Sequence, residues 1–131
     1  MTGIFSEHCR TYLIIVGGLL GLTFCLPMTV SPLGWARSMG WESPEKKNLT
    51  IYFGRGLGSL ATALIAYLFK VLYFREPLLQ IYELMLLAFT VILLHHIHGF
   101  IRKIQPIKES LEIPLFTLLI ICHLLFYPVS G

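Results

Sequence analysis

Four long apolar stretches alternate with three polar connections along the chain. They cover about residues 12–30, 51–72, 78–100 and 113–129. Each is near the ~20 residues that a helix rising ~1.5 Å per residue needs to cross ~30 Å of hydrocarbon. Helices and closed barrels are the only backbones that satisfy their own hydrogen bonds in lipid. No stretch alternates as a strand would, so the pattern predicts an all-α chain. Its expected architecture is a single domain over residues 1–131, an antiparallel four-helix transmembrane bundle.

Composition sharpens the class. Of 131 residues, 56% are hydrophobic and 13% charged, and mean hydropathy is +0.75. A soluble domain carries about 25% charged residues, so this chain has too little polar surface to stay dissolved alone. The net charge of +3 implies no nucleic-acid partner, because the basic residues flank the apolar stretches, where they act as topology signals and hold anionic headgroups. Arg10, Lys70 and Arg75 fall on the side that holds both termini. Arg37, Lys46, Lys47, Arg55, Arg102, Lys103 and Lys108 fall on the side of the first and third connections. The excess of basic residues predicts a multi-pass cell-membrane protein with those two connections cytoplasmic and both termini outside. No small-x-small cleavage site follows the first stretch, so it is expected to stay. The Asn48-Leu49-Thr50 sequon would then lie on the wrong side for glycosylation.

The connections carry their own signals. Residues 31–48 contain Trp35 and Trp41, which suit a membrane interface, with two Pro and two Gly. A surface loop holding a short interfacial helix is expected there. Pro77 marks a tight turn and a helix start. Cys9, Cys25 and Cys122 have no metal-type spacing, and a Cys25–Cys122 disulfide is not expected because the two fall toward opposite ends. Gly17-x-x-x-Gly21 and Gly54-x-x-x-Gly58, the latter extended by Thr62, allow close helix approach. They serve packing inside the bundle or, alternatively, contact with another membrane protein or a second copy.

Ionisable residues in lipid are costly, which makes them the informative ones. His95, His98 and Arg102 share a helical face, with His96 about 100° away. Glu109 and Glu112 are three apart before the fourth stretch, and Arg55 opens the second. His95, His98, Glu109 and Glu112 suit zinc or iron. The plainer reading is an interfacial salt-bridge layer of Arg55 and Arg102 against the two glutamates, and no cofactor is expected on it. Toward the other end, Glu83 and His123 are expected at similar depth, with Lys70 reaching in, as structural glue or a proton-responsive pair. A bis-histidine haem fits poorly, since His95 and His123 would differ in depth by ~9 Å. No phosphate loop, nucleophile motif or dinucleotide fingerprint is present.

The glycine-rich first stretch running into "LPMTVSPLGW", then "YFGRGLGSLATALIAYL" and "HIHG", resembles the small DoxX-like four-helix membrane proteins. Arg55, Gly56 and Gly58 match their Arg-Gly-hydrophobic-Gly motif. The resemblance implies a four-helix bundle, with relatives linked to quinone-coupled sulfur oxidation or to assembly of larger membrane proteins. It transfers no catalytic residue. The leading expectation is a non-enzymatic accessory or assembly subunit. The alternatives are a metal- or quinone-linked membrane oxidoreductase using the His/Glu set with Arg55 beside it, and a proton-coupled carrier using Glu83 and His123.

Overall fold

The computed structural model describes residues 3–128, and among them every regular element is helical. A single 3-10 turn, Ser6–His8, leads into α1, Cys9–Leu20. A π turn over Gly21–Cys25 joins α1 to α2, Leu26–Val30, as one rod. Pro27 has no N–H to donate inside a helix. The widened turn before it takes up that misfit, with the Leu26 N–H bonding back to Gly21. After the rod come α3, Pro32–Ser38, and α4, Lys47–Tyr73. Then follow α5, Leu79–Ile101, the single turn α6, Ile107–Ser110, and α7, Glu112–Leu125.

Three of these are long and apolar enough to cross a membrane: the rod Ser6–Val30, α4 and α5. The fourth expected stretch is helical only over Glu112–Leu125, and its expected end at Val129 lies outside the described residues. The first connection holds a short helix, α3, as the sequence suggested. Three helices end alike, on a residue with positive φ: Gly40 after α3, Arg75 after α4 and Lys103 after α5. In each case the next N–H bonds five residues back, Trp41 to Ala36, Glu76 to Val71 and Ile104 to Gly99, which closes the helix end against further growth.

Glycine decides how the rod meets α4. A Cβ on Gly58 would sit 2.5 Å from the Thr29 backbone nitrogen, so only glycine admits this approach. Gly54 packs on Pro32, Gly21 on Ile65 and Gly17 on Leu68. The Thr29 and Thr62 hydroxyls meet at 3.0 Å across the same seam. Both glycine pairs that the sequence offered are thus taken by helices of the same chain. The core gathers Leu13, Leu68, Ile81, Tyr82 and Met85 around Phe89 and Phe116. Cys9, Cys25 and Cys122 are free thiols.

Two sets of segments close the ends. Gly3 and Phe5 donate backbone N–H groups to Tyr127 and Leu125, and Arg10 donates to the Glu76 carbonyl in the turn before α5. At the opposite end of α5, the first and third connections meet. Trp41 donates to Glu109, Lys108 donates to the Ser38 carbonyl, and Gly40 lies on Pro106.

Candidate functional site

The site lies where α5 ends and α7 begins. Met85, Phe89, His96 and Gly99 fall on the inward face of α5, at steps of three, four or seven. That spacing returns to one side of a helix. Gly99 leaves room for Gln105 of the third connection, whose amide donates to the Ser110 hydroxyl. Pro106 is extended and starts α6, which carries Glu109, and Leu111 separates α6 from α7. Glu112 is the first residue of α7, and Pro114 in that first turn lacks only an N–H that would have no helical partner. Two breaks in eight residues therefore turn both carboxylates toward the end of α5.

Three side chains converge there. His96 is 4% exposed and Glu112 7%. Their Nε2 and Oε2 atoms stand 3.0 Å apart. The contact is close but not directed as a hydrogen bond, because Glu112 Oε2 has no hydrogen-bond partner, and neither has His96 Nδ1. Glu109 joins them, so that one donor atom from each of His96, Glu109 and Glu112 lies within 4.8 Å of the others. Trp41 Nε1–H donates to Glu109 Oε2 at 3.0 Å. Burial raises the Glu109 carboxyl above its ordinary range, while the Trp41 hydrogen bond and the nearby His95 pull it back. The His96 ring stacks on Phe116 at 5.8 Å between centroids, which fixes its plane.

Of the residues singled out from sequence, Glu109 and Glu112 are in this centre. His95, His98, Arg55 and Arg102 are exposed, and among the described residues neither arginine pairs with a carboxylate. His96 takes the place expected for His95 and His98. The signal for it was the seven-residue step from Phe89 and the glycine three residues on. Trp41 was recognised as an interface residue but not as a partner of Glu109.

The deeper set is arranged differently from the expected trio. His123 is fully buried, with Nε2 2.9 Å from the Tyr82 carbonyl and Nδ1 3.2 Å from the Tyr12 hydroxyl. Tyr12 O–H also reaches the Leu119 carbonyl at 3.3 Å. Glu83 is exposed and accepts from Tyr127 O–H, and Lys70 pairs with Glu76 at 2.7 Å. Glu83, His123 and Lys70 thus each take a separate partner.

One imidazole and two carboxylates can hold a cation or tie three segments together. Nothing in the centre resembles an activated nucleophile with its base. Comparison with protein-family models, with curated proteins and with solved structures gave no match, so the functional reading rests on this geometry.

Proposed function

We propose that the chain is a multi-pass membrane protein of DoxX-like topology, an antiparallel four-helix bundle acting as a non-enzymatic accessory or assembly subunit. In this reading the first and third connections share the cytoplasmic side, and the N-terminal segment and the end of α7 share the outer side. The Trp41–Glu109 and Lys108–Ser38 contacts support the first pairing, and the Gly3–Tyr127 and Phe5–Leu125 bonds support the second. α7 completes the fourth crossing together with the residues that flank it.

The observation that carries the accessory reading is that the prominent cavities lie away from the polar centre, while α4 keeps an open apolar face. Of the five most prominent cavities among the described residues, none is lined by His96, Glu109 or Glu112. One of them, about 710 Å³, is a surface hollow lined by α4 alone, around Tyr52, Arg55 and Leu60. An enzyme site needs concave space beside its reactive groups, and a carrier needs a path. Here Tyr82, Leu13, Met85 and His123 are fully buried, and the space left between Phe24, Ala61, Phe89 and Phe116 is apolar and only about 70 Å³. By contrast, the most apolar window of α4 is only 17% buried within the chain. A side chain at Gly56 or Gly18 would meet nothing within 4 Å. Those open faces are available to lipid and to neighbouring helices, which associate through close packing at small residues.

Photocrosslinking from position Leu60 in native membranes tests this. The expected result is a discrete adduct with a second protein, lost in Gly56→Leu while the chain still folds. Adducts with lipid alone would remove the accessory reading.

A further inference from the structure

We propose that His96, Glu109 and Glu112 form a binding site for a divalent transition-metal ion of the zinc class. This goes beyond the accessory reading and does not depend on it. A metal ion is a single-atom ligand and needs no cavity, only converging donors.

The donors converge. One atom from each residue lies within 4.8 Å of the others, and the three come from separate segments of chain, α5, α6 and α7. Glu112, one of the two most buried members, aims an oxygen without a hydrogen-bond partner, Oε2, at His96 Nε2. Buried polar groups in native proteins nearly always find a partner, and an orphaned carboxylate oxygen facing an imidazole nitrogen asks for a cation between them. The spacing suits one. Donors held at ~2.0–2.2 Å around a tetrahedral zinc stand ~3.3–3.5 Å from one another. The Nε2–Oε2 separation of 3.0 Å needs only a slight opening, and Glu109 approaches from the third direction.

Charge and chemistry agree with that class. Two carboxylates balance a divalent ion, which removes the cost of leaving a net charge in a poorly hydrated place. A mixed imidazole and carboxylate set favours zinc or ferrous iron over magnesium, which prefers oxygen alone, and over copper(I), which prefers thiolates. Outer contacts that orient metal ligands are also in place. Trp41 N–H holds Glu109 Oε2, and Phe116 holds the plane of the His96 ring. Three protein donors leave a fourth position for water.

The test uses the full chain, purified in mild detergent without a histidine tag and stripped with a chelator. Zinc is titrated by calorimetry and cobalt(II) by visible absorption. The expected result is about one ion per chain, with the intense cobalt bands of a four-coordinate site. His96→Gln and Glu112→Gln should each weaken binding more than about a hundredfold, beyond what loss of an outer contact does. His95→Ala and His98→Ala, which change exposed residues of the same helix, should leave it intact. Equal zinc uptake by the wild type and Glu112→Gln would overturn the site, and so would loss of binding in His98→Ala, which would mark exposed histidines as the ligands. A readout that touches no ligand is available as well. In Trp35→Phe, the remaining Trp41 emission should change as zinc binds at Glu109, and an unchanged emission at saturating zinc would count against the site.

Discussion

Two histidines lie buried in the seam between α5 and α7, and their surroundings differ. His123 has both ring nitrogens engaged, one with the Tyr82 carbonyl and one with the Tyr12 hydroxyl. His96 touches Glu112 without a directed hydrogen bond and keeps Nδ1 unpartnered. Aromatic rings link the two. His123 meets Phe89 edge-on at 5.4 Å, Phe89 lies 5.9 Å from Phe116, and Phe116 stacks on His96. The same seam thus holds one polar group whose network is closed and another whose network is open. A closed buried network stabilises and specifies a fold, whereas an open one is costly unless something else completes it. The comparison gives His123 a place in the architecture and leaves His96 to the metal site proposed above.

The largest expected effect is on the closed side. His123→Ala removes two hydrogen bonds and leaves a cavity, so it should cost about 3–4 kcal/mol of unfolding free energy in detergent. In metal-free protein His96→Ala should cost about half as much or less, because it also deletes an atom that was already unsatisfied. Equal losses would erase the distinction between the two histidines.

A glycine contrast comes next. Gly58→Leu drives a side chain into the Thr29 backbone and should separate the rod from α4, at a cost of about 2–3 kcal/mol. Gly56→Leu, two residues away in open space, should be neutral or slightly stabilising, since leucine is the better helix former by up to about 1 kcal/mol. Thermal unfolding of the two variants side by side checks this. A similar loss in both would mean that the Gly56 face is packed.

Smaller effects sharpen the picture. Tyr12→Phe should destabilise by about 0.6–1 kcal/mol, the usual size of one polar contact between membrane helices. It removes the one hydroxyl that contacts both His123 Nδ1 and the Leu119 carbonyl. Trp41→Phe should change stability least. Its mark is on Glu109: losing a hydrogen bond that favours the charged form should raise the carboxyl further. Titration of isotope-labelled glutamate by NMR reads that shift, and a downward move would contradict the Trp41–Glu109 contact.

Particular residues show what the sequence revealed and what it concealed. Gly17, Gly21, Gly54 and Gly58 announced close helix approach by their spacing, but spacing does not say whose helix approaches. All four proved to face the chain's own elements. Glu109 and Glu112 were legible because carboxylates are rare here and fall beside proline breaks. His96 was not, because α5 is rich in Leu, Ile and Phe on all its faces and no polar stripe marks the outside. Choosing His95 and His98 assumed that a shared face is the inward one, and the fold turned that face outward. Glu83 and His123 were placed at one depth by counting residues, which fixes height along a helix but not rotation about it.

The sequence by itself determined the all-helical class, the presence of helices long and apolar enough to cross a membrane, and which residues carry unusual chemistry for such an environment. Those follow from local physics: the rise of a helix, the cost of an unpaired backbone in lipid and the scarcity of charge. Only the tertiary structure decided which side chains meet. The rotation of each apolar helix is set by packing over its whole length, by glycines that admit a neighbour and aromatics that fill the seam. That rotation turned His96, and not His95 or His98, toward Glu109 and Glu112.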